Sequence, residues 1–253
     1  MHIILSRLNE STTVMNTARI AELLNPFVHL PVGRAPSAPA NEDASIPHPS
    51  ESASATSQPA LSPLQLQQIS IYIDILQRWN ARISLTAIRD PEEIVTRHFG
   101  ESLFAARSLF PTASSEAPQT LADVGSGAGF PGLPIKLWAP QLALTLIESN
   151  HKKAAFLREV TRALTLTGVD IQTARAETLP AGSFNLVTLR AVEHFGSVLP
   201  VAASLLAPAG RLALLIGASQ QAEAHRRLPQ FVWSEALPIP NSRERIVLTG
   251  SSR

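Results

Sequence analysis

The segment that most constrains this chain is Leu121 to Pro134, LADVGSGAGFPGLP. A short apolar run ends at Asp123-Val124, glycines follow at 125, 127 and 129, and a helix is expected to open around Pro131. Glycine lets backbone bend sharply and approach a ligand, and a helix N-terminus carries unpaired N–H groups. Two cofactors compete for such a turn. Gly127, Gly129 and Gly132 spell G-x-G-x-x-G, the dinucleotide fingerprint, and Glu148 lies where an acid for ribose hydroxyls would be expected. Read from Asp123, the same stretch is D-x-G-x-G-x-G, the arrangement typical of S-adenosylmethionine (SAM) enzymes. There the strand-end acid Asp123 assists with the amino-acid end of the cofactor. The glycines begin immediately after the strand, which favours SAM over NAD. A tight turn with no ligand is the plain alternative.

The flanking sequence supplies the domain that such a turn needs. Apolar runs at 121–124, 143–148, 170–174, 184–189 and 211–216 alternate with amphipathic stretches, the clearest from Lys152 to Leu166. That alternation implies βαβ units and a mainly parallel sheet. Segments 230–237 and 245–249 read as closing strands in a hairpin. The expected fold is α/β: a Rossmann-like, doubly wound sheet with an antiparallel closing strand, over residues 113–253. Residues 61–112 read as a helical cap. Ser62 and Pro63 start one helix, with Ile69, Tyr72, Ile73, Leu76 and Trp79 on one face, and Trp79 reads as core. Asp90-Pro91 starts a second, with Glu92 and Glu93 suiting the helix dipole, running to about Phe110.

Upstream, residues 1–30 form an extension with a short helix, Thr17 to Phe27, expected to stop at Pro26. Residues 31–60 hold six prolines, six serines, seven alanines and no aromatic residue, so they read as a disordered linker. Met15, just ahead of the short helix, is a second candidate start.

Composition narrows the chemistry. Among 253 residues there is no cysteine, which removes disulfides, Cys-ligated metals and thiolate nucleophiles. The net charge of +1 excludes a uniformly basic nucleic-acid coat, although the three Arg against five acids of residues 1–60 leave residues 61–253 at 18 minus 15, or +3. No secretory signal or membrane span is legible: the apolar stretch 198–218 is broken by Pro200, Pro208, Gly210 and Arg211. A cytoplasmic location is expected.

Four further positions are candidates. Glu148 ends the second strand and faces the ligand crevice, unless it merely caps the next helix. Ala176 and Glu177, in ARAE after the third strand, can read an adenine edge with main chain and acid. Arg190 ends the fourth strand, where a positive charge needs an anion: a methionine carboxylate or an RNA phosphate. It is assigned to positioning rather than proton transfer, with a surface ion pair as the plain alternative. On the cap helix, Arg97 can pair with Glu101 and His98 can reach Ser102. Those contacts either tie the helix to the main domain or leave the two residues facing RNA.

From Ile20 to Phe27 and from Leu61 onward, the sequence resembles the RsmG (GidB) guanine-N7 methyltransferases of bacterial small-subunit ribosomal RNA. The blocks are WNARISLTAIRDPEEIVTRHFGESL (79–103), DVGSGAGFPGLP (123–134), ESNHKKAAFL (148–157), ARAE (174–177) and TLRAVEHF (188–195). The resemblance implies SAM contacts at Gly125, Phe130, Ala176, Glu177 and Arg190, with Glu148 a ribose acid. It also implies that Arg97, His98, Lys152 and Lys153 meet RNA. Ser84 and Ile216 depart from the family's usual Asn and Lys, and the 31–60 insertion is longer than usual.

The implied reaction is direct in-line methylation of a guanosine N7 in 16S ribosomal RNA, without a covalent intermediate. Guanine N7 presents an in-plane lone pair and no proton near neutral pH, so no general base is needed. This agrees with the missing cysteine, the absence of an obvious acid–base dyad and the lack of an Asn-Pro-Pro-aromatic motif after the fourth strand. The implied partner is ribosomal RNA, the small subunit or an assembly intermediate, met by a monomer. Rival readings are a small-molecule methyltransferase, a nicotinamide dehydrogenase and a non-catalytic SAM-binding module on ribosomes.

Overall fold

The computed structural model describes residues 15–29, 61–111 and 119–252. The expected linker at 31–60, the segment before Met15 and most of the polar break at 112–119 lie outside them.

Helix α1 (Thr17–Val28) is capped by Asn16, whose side chain accepts from Ala18 N at 2.8 Å. It does not stop at Pro26 as expected but runs two residues further, because Phe27 and Val28 are buried. A proline inside a helix costs about 3 kcal/mol. Burying two apolar side chains returns about 1.5–3 kcal/mol each, so packing wins. Helix α2 (Pro63–Asn80) begins with the full capping box: Ser62 accepts from Gln65 N, and Gln65 reaches back to Ser62 N. Its face of Ile69, Tyr72, Ile73 and Leu76 is buried, and half-buried Trp79 donates to Glu159 Oε2 at 2.9 Å while meeting Phe156 edge-on. Trp79 is thus a packing residue.

The second cap helix is not one uniform α-helix. Asp90 caps α3 (Pro91–Glu93), a π-helical segment follows at Ile94–Gly100, and α4 completes it (Glu101–Leu109). Gly100 is needed there, since a Cβ would lie 2.7 Å from ring carbons of Phe27 in α1. Arg19 of α1 also grips Glu92 of α3 through two bonds of 2.7 and 2.8 Å.

The sheet follows: β1 (Thr120–Val124), β2 (Ala143–Ile147), β3 (Val169–Gln172), β4 (Phe184–Arg190) and β5 (Leu206–Gly217) are parallel, and β8 (Arg245–Ser252) is antiparallel to β5. The spatial order is β3-β2-β1-β4-β5-β8-β6, with β6 (Phe231–Trp233) and β7 (Leu237–Pro238) both antiparallel to β8. The closing strands therefore pair as expected, with β8 inserted between β5 and β6. Helices α5 (Gly132–Trp138), α6 (His151–Ala163), α7 (Phe195–Ser204) and α8 (Gln221–Arg227) complete the α/β domain. The cap does not form a separate core. Ile20, Ile69, Tyr72 and Leu103 join Leu121, Leu133 and Phe156 in one buried cluster on one face of the sheet. A second cluster, including Val187, Leu199, Leu214 and Leu248, fills the other face. Ile216 belongs to this second cluster and pairs with Ile246, so it occupies an apolar core position. Among the described residues, no helix is long and apolar enough to cross a membrane.

Candidate functional site

Strand order reverses between β1 and β4, since β2 and β3 lie on one side of β1 while β4 and β5 lie on the other. The carboxyl ends of parallel strands at such a switch point frame a ligand crevice. Here the crevice is a cavity of about 500 Å³, within the range of small-molecule sites. It has two walls.

The first wall is the glycine turn. Gly125 N and Ser126 N both donate to Ile147 O, at 2.9 and 3.1 Å, which ties the turn to the end of β2. Gly125 and Gly127 have φ of +71° and +55°, the left-handed region that glycine enters without a Cβ penalty. Both line the cavity, with Ser126, Ala128 and Phe130. Gly129 does not line it; its φ is +84° and a Cβ there would sit 2.6 Å from Leu133 and overlap Tyr72. Tyr72 reaches under the turn from the cap and donates its hydroxyl to Ala128 O.

The two acids of this wall differ. Glu148 lines the cavity at the end of β2 while holding the turn: Oε2 accepts from Gly127 N at 2.9 Å and Oε1 from Asn150 N at 2.8 Å. Asp123 is not among the lining residues. It lies beneath the turn, accepting from Gly132 N at 3.2 Å and from Thr188 Oγ1 at 2.8 Å. Burial raises its carboxyl pKa to about 6, against the lowering effect of those hydrogen bonds. Asp123 thus braces β1, β4 and the start of α5.

The second wall comes from the π-helical segment and the end of β4. Glu101 is a buried carboxylate among three arginines. Arg97 Nε lies 3.2 Å from Oε1, while Arg190 Nη2 and Arg245 Nε lie 3.0 and 2.9 Å from Oε2. The Arg245 Nε contact is off the hydrogen-bond direction, so it acts through charge alone. Arg190 is buried, and its Nη2 also donates to Arg97 O at 2.7 Å. The ion pair foreseen for Arg190 as a plain surface contact is thus a buried one, with a carboxylate supplied by the chain itself. Burial pulls the Arg190 pKa down and the Glu101 charge pulls it back up.

His98 sits beside this cluster and lines the cavity. Its ring does not turn to Ser102; instead Ser102 Oγ donates to the His98 carbonyl at 2.6 Å. The ring contacts Thr86 Oγ1 through Nε2 at 2.8 Å and Arg190 Nη1 through Nδ1 at 3.1 Å. Burial, then the charges of Arg190, Arg97 and Arg245, lower its pKa to about 3.

Of the remaining sequence candidates, Ala176, Glu177 and Lys153 line the cavity with Arg190, whereas Lys152 and Arg97 do not. Arg97 is half-exposed and pairs with Glu93 at 3.5 Å and with Glu101. Sequence reasoning missed Glu101 as a centre of three arginines, and it missed Arg245 and Thr86 altogether. Glu101 was visible only as the i+4 partner of Arg97, and Arg245 carried no local signal.

A glycine turn at the switch point of a mainly parallel sheet, an acid closing β2 and a helical cap over the cleft define the class: a Rossmann-like methyltransferase of the SAM-dependent type. Solved structures bear out the fold. The magnesium protoporphyrin IX methyltransferase of Synechocystis, solved with bound SAM, superposes with a TM-score of 0.55 at 15% identity, covering 74% of this chain and 97% of that one. The ribosomal protein L11 methylase of Lactobacillus delbrueckii subsp. bulgaricus gives 0.51 at 17%, covering 62% and 79%. The sequence profile of the GidB family, rRNA small subunit methyltransferase G, matches residues 65–243, and the chain belongs to that family. A relative from Halorhodospira halophila, named ribosomal RNA small subunit methyltransferase G, is 42% identical over 174 residues, which are 69% of this chain and 79% of the relative. Relatives of the same name from Xylella fastidiosa and Roseiflexus sp. are 40% and 45% identical, spanning 76% and 59% of their own lengths.

Proposed function

We propose that this protein transfers the methyl group of SAM to N7 of a guanosine in small-subunit (16S) ribosomal RNA, acting in the cytoplasm as a single copy. The observation that carries this reading is that the glycine turn, Glu148 and Arg190 line one cleft in a chain of the GidB family. The cleft suits the cofactor. Gly127 has open space where a Cβ would stand, with no atom nearer than Gly125 O at 3.8 Å, so a ligand can lie against bare backbone. Apolar Val124, Ile147 and Phe130 flank the carboxylates of Glu148 and Glu177.

In the proposed arrangement Gly125, Gly127 and Phe130 cradle SAM, Glu148 accepts from its ribose, and Ala176 and Glu177 meet its adenine. Bound SAM supplies an electrophilic methyl on a sulfonium, which the N7 lone pair takes as the C–S electron pair returns to sulfur. No proton has to move, and the residues of this cleft match that economy. His98 is held neutral, and Arg190 is engaged by Glu101. What remains for the protein is alignment, and effective molarities for well-oriented reactants are worth up to about 7–11 kcal/mol. Lys153 at the cleft, with Lys152 next to it in the chain, supplies positive charge for phosphates.

The test is methyl transfer from labelled SAM to naked 16S RNA, to assembling particles and to mature small subunits, followed by nucleoside analysis. Labelled 7-methylguanosine from at least one substrate is the expected result. Label in another nucleoside, or none in any RNA, overturns the reading.

A further inference from the structure

A stack of rings runs from the core to the cleft, and the reaction as described gives its last ring, His98, no contact with the substrate. Tyr72 lies fully buried, Phe130 lies over it with ring centroids 5.3 Å apart at 4°, and His98 lies over Phe130 at 4.7 Å and 21°. Phe99 meets both Tyr72 and Phe130 edge-on, each at 5.1 Å, and wedges the column in place. The column thus starts in the shared core and ends at His98, in the cavity wall.

The edge of His98 is fully committed. A guanidinium only donates, so Nδ1 accepts from Arg190 Nη1 and the ring proton resides on Nε2, which donates to Thr86 Oγ1. Thr86 Oγ1 is itself fixed by Ile88 N at 3.1 Å. The groups around the ring are Arg97 and Glu101 of its own helix, Arg190 of β4 and Arg245 of β8. Burial first, and then the charges of Arg190, Arg97 and Arg245, keep the imidazole neutral. With its edge taken up by Thr86 and Arg190 and one face covered by Phe130, the ring keeps for contact only its other face, where the 8% of His98 that is exposed meets the cavity.

We infer that His98 is the platform on which the target guanine stacks, as the fourth ring of the column Tyr72–Phe130–His98. This rests on the guanine-N7 reading above and deepens it. Bases stack on aromatic side chains whatever their sequence. Two in-plane bonds fix the orientation of the imidazole and hence the plane of the base, which sets the direction of the N7 lone pair. Methylation leaves the purine positively charged. A neutral ring accommodates that charge against its face, whereas an imidazolium would repel it.

The experiment uses the full chain with S-adenosylhomocysteine and guanosine 5′-monophosphate as the probe, read by proton NMR. Two variants separate face from edge: His98→Phe keeps a ring without its bonds, and His98→Asn keeps an acceptor for Arg190 without the ring. Wild type and His98→Phe are expected to shift the guanine H8 resonance upfield by ring current, and His98→Asn to abolish the shift. In transfer assays on small-subunit RNA, His98→Asn is expected to raise KM by about ten- to a hundredfold, the range of base–aromatic stacking. Its kcat falls less, and S-adenosylhomocysteine affinity stays within about twofold in both variants. The inference is overturned if wild type gives no upfield shift, or if His98→Asn keeps the shift and KM. It is equally overturned if His98→Phe loses as much as His98→Asn while both still bind S-adenosylhomocysteine. Failure of the underlying reading is distinct: wild type would then form no 7-methylguanosine.

Discussion

The two walls of the cleft are built by different physics. The glycine turn is a local device. Its shape follows from three positive-φ glycines and two backbone bonds to the end of β2, all within some twenty-five residues of sequence. The opposite wall is assembled from distance: Glu101 on the cap, Arg190 on β4 and Arg245 on β8 meet at one carboxylate. A local wall resists change through sterics, and an assembled wall through charge balance. Backbone shape is written in a motif, whereas charge balance exists only in the fold.

Substitutions can break or sharpen that contrast, and the largest effect is expected at the assembled wall. Glu101→Gln leaves Arg190, with its buried side chain, and Arg245 without their counter-charge, while Arg97 keeps Glu93. Breaking a buried pair by removing one partner costs about 3–5 kcal/mol, so urea unfolding should register a loss of that order. A loss under about 1 kcal/mol would show that the wall is not held by charge.

Next comes Gly129→Ala at the local wall. Its φ of +84° and the overlap with Leu133 and Tyr72 predict a loss of about 2–3 kcal/mol, measured by thermal unfolding. Stability unchanged there would undo the steric account of the turn.

The third test follows protons. His98 stays neutral in the fold down to about pH 3, yet takes a proton near pH 6.5 when unfolded. Its contribution is therefore fully present above pH 6.5 and is lost as pH falls toward 3. Asp123, with its pKa raised to about 6, acts oppositely and weakens the fold as pH rises from about 4 to 6. Each group changes the slope by at most about 1.4 kcal/mol per pH unit. The difference in unfolding free energy between wild type and His98→Phe should therefore grow from acid toward pH 6.5. A flat difference would show that burial and the neighbouring arginines do not hold His98 neutral.

The smallest effect on stability is expected at Gly127→Ala. A Cβ fits there without collision, and only the φ of +55° imposes strain, about 1–2 kcal/mol. SAM affinity, measured by calorimetry, should nevertheless fall at least tenfold, because the methyl group occupies the face kept bare for the ligand.

The same contrast explains what the sequence made legible. Alternating apolar runs and the turn between Asp123 and Gly132 were sufficient for the parallel sheet and its cleft, since period and glycine spacing act over a few residues. The capping box at Ser62 was half legible, through Ser62 and Pro63. The end of α1 was misread because Pro26 is a local signal overruled by the burial of Phe27 and Val28. Asp123 is legible as an acid at a strand end, whereas its bonds to Gly132 N and Thr188 Oγ1 are not, since they join it to residues distant in sequence. The π-helical stretch and Arg245 are not legible: the first carries no local signal, and the second depends on a strand that pairs with β5 from the far end of the chain.

The Tyr72 hydroxyl on Ala128 O also has an evolutionary side. A helical cap is often pictured as exchangeable, grafted onto a shared scaffold. Here the turn leaves room at Gly129 for the Tyr72 hydroxyl of the cap, and the Tyr72 ring supports Phe130 from behind. Neither half is a finished part alone. A lineage that traded this cap for another would leave Ala128 without its partner and Phe130 unsupported, so cap and turn should be inherited together. A chimera of this domain with a foreign cap would need Tyr72 carried across as part of the graft.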